Sequence, residues 1–234
     1  ELISGNSEFA VNLYQQVQSR SGNLFFSPYS ISSALAMTFA GAEGQTASEM
    51  ADALEFQLEG ERLHPAFNAL DQHLAALAAK DESDDTVSSP FQLTIANAIW
   101  GQEDFHFEED FLNTLARNYG AGLRLLDYIN MPEESRMIIN DWVSEQTREK
   151  IQDLIPQGAI DSATRLVLSN AIYFKAPWLE PFDESATAQG TFHGLDGKEY
   201  QVPFMGHATG ASFRYYQGQG FQAVDLPYIG DDVS

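Results

Sequence analysis

Cysteine is absent from the 234-residue sequence, and its absence excludes several kinds of site. The chain has no disulfide framework, no thiolate zinc site and no cysteine nucleophile. The absence leaves the compartment open, because secreted proteins can also do without disulfides. We expect a secreted or extracellular location, with the cytoplasm as the alternative.

Basic residues are scarce as well. Twelve Lys and Arg stand against 34 Asp and Glu, which gives a formal net charge of −22. Nucleic acids and anionic membranes are bound largely through Lys and Arg, so we expect neither among the partners. Long apolar runs are also missing, since no stretch approaches the roughly 18 residues that a membrane-spanning helix needs.

The motifs of the common catalytic sites are missing too. The five histidines do not occur at His-Glu-x-x-His spacing, and no Gly-x-Ser-x-Gly elbow or phosphate-binding glycine loop is present. Paired carboxylates arise by chance in so acidic a chain, so they do not indicate a glycosidase. We predict that the protein is not an enzyme and that it has no catalytic residues, no metal site and no cofactor.

Apolar and aromatic residues are plentiful enough for a large core. Hydrophobic residues make up 44% of the chain, with 16 Phe, 9 Tyr and 3 Trp. Helical periodicity dominates the first half, short alternating segments dominate from residue 182 onward, and no linker separates two domains. The pattern predicts a single α+β domain.

One predicted helix has no polar face. Ser27 followed by Pro28 is a strong helix start, and residues 29–40 are apolar on nearly all sides, which predicts a centrally buried helix. We predict a short strand at 24–26 before it. A capping box at 46–49 predicts a second helix through residue 54, and a third is expected to start at Pro65.

The alternating segment 91–100 predicts a strand inside a sheet because both of its faces are fairly apolar, and 166–174 is predicted to be another alternating strand. Asn170 lies in the second of them, and Ser27 and Ser30 lie at the start of the apolar helix. Burying such groups without partners costs about 1–3 kcal/mol each. The residues alone leave two interpretations open, and they favour the first: a helix cap with a core hydrogen bond, or a polar latch where a sheet must open.

Several long segments, in order along the chain, resemble the serpin family. Residues 23–50 (NLFFSPYSISSALAMTFAGAEG…) resemble its B and C helices, 93–100 (LTIANAIW) a central-sheet strand, and 139–143 (INDWV) its F helix. Residues 166–182, which include SNAIYFKAPW, are similar to the most recognisable stretch of the family. Matching segments continue at 202–205, 213–215 and 226–232. The resemblance implies the serpin fold, with helices packed around a large central mixed β-sheet plus smaller sheets.

The resemblance implies an inhibitor of serine proteases, and possible inhibition of cysteine proteases, acting as a suicide substrate. In the family a reactive loop is cleaved to an acyl-enzyme and then inserts as a new strand into the central sheet, which releases strain stored in a metastable fold. The alternative is a non-inhibitory serpin that works as a chaperone or a small-ligand carrier. The reactive-loop hinge, which separates these readings in the family, is not in this sequence.

The resemblance also assigns roles to particular residues. Ser27, Ser30 and Asn170 match the shutter, where the central sheet parts, which now favours the latch interpretation for them. Trp178 matches the tryptophan of the breach, near the point where the loop enters. Asn140 and Trp142 match the F helix, which lies across the sheet and shifts during insertion.

The sequence departs from the family in one respect. The reactive loop of serpins lies near the C-terminus, beyond the position matched by Ser234, so we expect residues 1–234 to be the N-terminal half to two-thirds of a single serpin domain. The expected partners are a target protease and the rest of the same serpin, for which a second chain is one expected form. Segment 65–80 carries only one Lys, so we do not expect activation by heparin. We also expect a bacterial source for the protein.

Overall fold

The structure is a computed structural model that describes residues 1–20, 22–82, 91–120, 122–207 and 212–229. The helices within these ranges are α1 (Leu2–Val17), α2 (Pro28–Phe39), α3 (Gly44–Ala53), α4 (Gly60–Glu82), α5 (Glu109–Asn118) and α6 (Pro132–Gln146). The strands are β1 (Gln92–Gln102), β2 (Leu123–Leu126), β3 (Leu166–Lys175), β4 (Asp183–His193), β5 (Glu199–Gly206), β6 (Arg214–Gln217) and β7 (Gln222–Asp225). None of the helices in the described ranges is long and apolar enough to cross a membrane.

The chain forms two compact units. The first comprises Glu1–Ala76 with Leu93–Phe174, and the second comprises Leu77–Gln92 with Lys175–Ser234. Most of the helical residues and nearly all of a three-stranded sheet lie in the first unit, whereas the end of α4 and strands β4–β7 belong to the second. This mixture of helices and largely separate strands agrees with the predicted α+β class.

The sheet of the first unit has the strand order β2-β1-β3, so β1 is central, as its two apolar faces predict. Strands β1 and β2 run parallel, in a register that pairs Ile99 with Leu123. Between β1 and β3, Gln102 N donates to Arg165 O and Ser169 Oγ donates to Ala98 O. Since residue numbers fall along β1 as they rise along β3, these two strands run antiparallel and the sheet is mixed.

Helix α2 lies within the core, as its apolar sequence predicts. Ala34 and Met37 belong to one buried cluster with Ile99 of β1 and Leu115 of α5. Ala36, on another face of α2, belongs to a second cluster with Leu58, Leu63 and Phe67. A helix that contributes to two clusters has little surface left for solvent, which explains why its sequence is apolar on nearly all sides.

Helix α6 covers the same sheet through a third cluster. Its Ile139 and Val143 are fully buried against small and aromatic residues of the strands, namely Ala96, Ala98, Trp100 and Ala171. Alanines on the strands leave room for the larger helix side chains, so α6 packs closely onto β1 and β3.

Three local predictions are wrong. Residues 24–26 form no strand, and Phe25 is 85% exposed, because a short apolar segment needs a neighbouring strand and none in the described part of the chain pairs with it. Helix α3 begins at Gly44, with no side-chain cap bond at its N-cap, so the expected capping box does not form. Pro65 lies inside α4, near its start, where its missing N–H removes only one helical hydrogen bond.

The second unit consists of two antiparallel hairpins and an isolated bridge. Strands β4 and β5 pair from His193↔Glu199 to Asp183↔Gly206, with an irregularity between Asp183 and Ala188. Strands β6 and β7 pair from Gln217↔Gln222 to Arg214↔Asp225. These short strands occupy the positions that the alternating pattern after residue 182 predicts.

The close approach of β1 to its neighbours generates a packing prediction. An alanine at Gly101 would place its Cβ 2.7 Å from two atoms of the Phe107 ring and 2.9 Å from Leu123 Cδ2. We expect Gly101→Ala to lower the free energy of unfolding by about 1–3 kcal/mol in chemical denaturation, the usual cost of overpacking. Gly60→Ala is the matched control, because its Cβ would meet nothing within 4 Å. Equal stability of the two variants would contradict the packing argument.

Candidate functional site

The N-terminus of α2 positions both serines of the predicted shutter. Ser27 is the N-cap residue, and its Oγ accepts a hydrogen bond from the backbone N–H of Ser30 at 3.2 Å, with Pro28 in the first turn. This confirms the helix start that the Ser-Pro pair predicts. Because the first turn points into the core, Ser30 is buried and 1% exposed.

Asn170 of β3 joins this helix to the sheet. Its Nδ2 lies 2.6 Å from Ser30 Oγ and 3.0 Å from Ser30 O, and it also donates to Oδ1 of Asn97 in β1. The Nδ2 of Asn97 in turn donates to Ser30 O at 3.1 Å. Two amide side chains from neighbouring strands therefore converge on one residue of α2.

The hydrogen bonds among Ser30, Asn97 and Asn170 explain how these polar side chains can be buried. Each finds a partner in the others, so none bears the full cost of an unsatisfied buried group. The bonds to Ser30 link the sheet to α2, whereas the Asn170–Asn97 bond stays within the sheet. A displacement of β1 and β3 together across α2 would therefore break the first kind of bond and preserve the second.

The sequence prediction missed Asn97 as a member of this cluster. Asn97 carries the same signal as Asn170, an amide among Leu93, Ile95 and Ile99 on one face of an alternating strand. What the sequence lacked was the register of β1 against β3, which sets Asn97 beside Asn170. We call Ser27, Ser30, Asn97 and Asn170 the helix–sheet cluster.

Asn140 of α6 holds the segment that follows the helix. Its Nδ2 donates to Ile155 O and its Oδ1 accepts from Ile155 N, both at 2.9 Å, so one amide satisfies both backbone groups of that residue. Arg136 Nη1 also donates to Ile155 O at 2.9 Å. Asn140 thereby connects α6 to the chain that leads into β3.

Trp142 of α6 lies against the sheet in an aromatic and cationic cluster. Its ring is 5.4 Å from that of Trp100 in β1, at an interplanar angle of 78°. The guanidinium of Arg124 in β2 lies 4.9 Å from the Trp142 ring and 5.1 Å from the Trp100 ring. Trp100 Nε1 donates to Ser169 Oγ of β3 at 2.9 Å, so the cluster spans α6 and all three strands. The sequence prediction missed Arg124 and Ser169.

Trp178 lies in the second unit. Its ring stacks on Tyr228 at 4.4 Å and 12° and meets Phe182 edge to face at 6.1 Å. Backbone bonds from Leu179 N to Pro227 O and from Ile229 N to Pro177 O hold the two segments together. Trp178 is half-buried in this aromatic contact, and its breach role stays a prediction.

Within the described ranges, no group of three or more His, Asp and Glu could hold a metal ion. The predicted site residues are Ser, Asn and Trp, which here pack and donate hydrogen bonds. The helix–sheet cluster holds α2 to the sheet, and the α6 contacts hold α6 to the sheet and to the segment that follows it.

The Asn140 bonds generate a stability prediction. Asn140→Ala leaves the N–H of Ile155 without its partner and weakens the bonding of its carbonyl, so we expect a loss of about 1–3 kcal/mol in the free energy of unfolding. Asn12→Ala is the control, since Asn12 is exposed and its side-chain amide bonds to the exposed Glu55. Chemical denaturation of both variants checks the expectation. A change in Asn140→Ala no larger than that in the control would overturn it.

Comparison with known proteins agrees with this architecture. A family profile described as serpin (serine protease inhibitor) matches residues 4–234. Leukocyte elastase inhibitor from Bos taurus is 39% identical over 237 residues, covering 100% of this chain and 59% of the relative. Antithrombin-III from Mus musculus is 38% identical over 242 residues, covering 100% of this chain and 50% of the relative.

A solved structure gives the same result. The native stressed conformation of Arabidopsis AtSerpin1 matches with a TM-score of 0.82 and 27% identity, over 99% of this chain and 58% of that one. The chain thus spans between half and three-fifths of the length of these relatives. The predicted α+β serpin fold is confirmed, and the chain belongs to the serpin (serine protease inhibitor) family.

Proposed function

We propose that the protein inhibits serine proteases as a suicide substrate, by inserting its cleaved reactive loop into the central sheet. The observation that carries the proposal is the helix–sheet cluster, in which Asn170 and Asn97 hold the sheet to Ser30 of α2. Hydrogen bonds of this kind keep a sheet closed, and they break together when its strands slide over the helix. Relatives named leukocyte elastase inhibitor and antithrombin-III support the same reading.

The edge of the sheet supports strand addition. In the sheet that the described residues form, β3 is an outer strand. Beside it lies a cavity of about 420 Å³, lined by Leu154 and Ile160 from the segment after α6 and by Val167 and Asn170 of β3. Outer strands present backbone groups that pair with an added strand. Insertion along β3 would thus pass directly over Asn170.

The chemistry follows the ordinary course of acyl transfer. The protease serine attacks the carbonyl of the scissile bond, its base takes the serine proton, and the new amine leaves with that proton. The loop remains attached through an ester to the protease serine. Loop insertion then carries the protease away and distorts its active site, so water no longer hydrolyses the ester. The energy comes from the metastable fold, in which the extra strand is not yet paired.

Helix α6 has a specific place in this proposal. Asn140 fastens α6 to the segment at Ile155, and Trp142 fastens it to the sheet through Trp100 and Arg124. The strand that enters beside β3 passes under the segment that follows α6, so these contacts must loosen and re-form. They are barriers to insertion, which keeps the uncleaved protein in its active form.

The proposed partners are a target protease of the serine class and the reactive-loop portion of the same serpin. The net charge of −22 supports the further proposal that nucleic acid, membranes and heparin are not partners. A secreted location, a bacterial source and the lack of enzymatic activity remain predictions from sequence.

A gel assay tests the proposed mechanism. We expect the complete protein, as it is expressed, to form an SDS-stable complex when incubated with a panel of serine proteases. The complex should be absent when the protease serine has first been blocked with a sulfonyl fluoride, because the ester cannot form. If every protease cleaved the loop and none formed a covalent complex, the result would contradict the proposal and favour the non-inhibitory alternative.

The helix–sheet cluster generates a second prediction. Asn170→Ala removes the side chain that bonds Ser30 and Asn97, so we expect the apparent thermal unfolding temperature to fall and the yield of SDS-stable complex per loop cleaved to change. A loss of about 1–3 kcal/mol is the usual effect of leaving buried partners unpaired. Asn113→Ala on the exposed side of α5 is the control. Unchanged unfolding and unchanged complex yield in Asn170→Ala would contradict the role of the cluster.

A further inference from the structure

A cavity of about 250 Å³ lies within the first unit, between α2, α4 and β1. Met37 of α2, Leu74 of α4 and Ile95 of β1 provide apolar walls, and Tyr119 lies at another side. The cavity is distinct from the one beside β3, and it shares one lining residue, Asn97, with the helix–sheet cluster. Ser33 and Asn97 also line the cavity, and one further position in the lining carries a charged side chain.

That position is Asp71, whose carboxylate is part of the lining. Tyr29 donates its hydroxyl proton to Asp71 Oδ1 at 2.6 Å. Among the ion pairs that the described residues form, none includes Asp71. An acidic group placed in a partly buried cavity without a cationic partner is costly, and burial accordingly raises the pKa of Asp71.

The groups around the carboxylate do not supply the missing charge. Burial lowers the pKa of His64, which favours the neutral ring, and its Nδ1 lies 2.8 Å from the Tyr119 hydroxyl. Burial and the charge of Asp71 together raise the pKa of Tyr119, so this phenol stays protonated. The pKa of Tyr29 is raised as well, first by burial and then by its bond to Asp71. The carboxylate of Asp71 therefore interacts with two protonated phenols, those of Tyr29 and Tyr119.

The size of the cavity sets the size of a ligand. An engineered apolar cavity of about 150 Å³ binds benzene, so about 250 Å³ accommodates one six-membered ring and a short polar arm. The thioether of Met37 and the side chains of Leu74 and Ile95 suit such a ring. An ammonium group at the end of the arm would find an anion at Asp71.

We propose that this cavity binds a small organic cation, an arylalkyl ammonium, with its ammonium on the Asp71 carboxylate and its ring against Met37, Leu74 and Ile95. The ammonium donates hydrogen bonds to the carboxylate, and charge assistance makes these stronger than neutral ones. The ring displaces water from apolar walls. The ligand contacts proposed here, to Asp71, Met37 and Leu74, use none of the residues assigned to loop insertion, although Asn97 of the helix–sheet cluster also lines the cavity.

Isothermal titration calorimetry with benzylamine and with benzyl alcohol tests the proposal at neutral pH. The two probes share a ring and nearly a shape, but only benzylamine is cationic. We expect benzylamine to bind the protein at least about tenfold more tightly, the change in dissociation constant that corresponds to 1.4 kcal/mol. No detectable binding of benzylamine at millimolar concentration overturns the proposal, and so does equal affinity for the alcohol.

Variants locate the site. Asp71→Asn keeps the shape and an acceptor for Tyr29 but removes the charge, so we expect its affinity for benzylamine to fall at least about tenfold, with little change for benzyl alcohol. Asp141→Asn is the matched control. It removes an exposed carboxylate of α6, so it makes the net charge less negative by the same one unit. Equal losses in the two variants would show attraction by the net charge alone and overturn the proposal.

A second variant guards against a folding defect in Asp71→Asn. Leu74→Phe keeps the carboxylate and fills the apolar part of the cavity, so we expect it to abolish binding of both probes. Circular dichroism checks that each variant remains folded. Binding of benzylamine that survives in folded Leu74→Phe at the original affinity overturns the proposed location.

Discussion

The hydrogen bonds of the Asn170 amide join the sheet of the first unit to helix α2. It sits where β3, its neighbour β1 and the start of α2 meet, and it bonds to Asn97 of one and Ser30 of the other. Breaking only some hydrogen bonds of such a cluster leaves polar groups unpaired in a low-dielectric core, which costs free energy. The helix and the strands therefore stay in one arrangement until another process releases more free energy than this. Strand addition beside β3 would release such an energy, which is why a stable cluster and a mobile sheet are compatible.

Helix α6 adds a second restraint of a different kind. Its buried face packs on alanines of the strands, while Trp142 contacts Trp100 and Arg124. Apolar packing is roughly proportional to area and has no fixed direction, so the helix can shift and repack. The Asn140 bonds to Ile155 are directional and hold the following segment at one place. The first unit therefore combines apolar packing, which can adjust gradually, with directional hydrogen bonds, which break over a short displacement.

Much of the fold could be predicted because periodicity and helix signals are local. The N-cap at Ser27, the buried α2 and the central β1 follow from patterns within a dozen residues. The strand expected at 24–26 and the capping box at 46–49 failed, because a strand needs a pairing partner and a cap needs the right backbone geometry. Neither condition can be read from the segment itself.

The candidate site divides in the same way. The sequence by itself determined that Ser30 and Asn170 are polar residues in apolar surroundings, and its ordered motifs determined the family. Only the tertiary structure decided which residues complete the cluster: Asn97 enters through the antiparallel register of β1 and β3, and Arg124 enters through the parallel pairing of β2. It also decided that Asp71 lines a cavity, where its carboxylate accepts a hydrogen bond from Tyr29. Such contacts join positions up to 140 residues apart, and their distances depend on packing that no local pattern records.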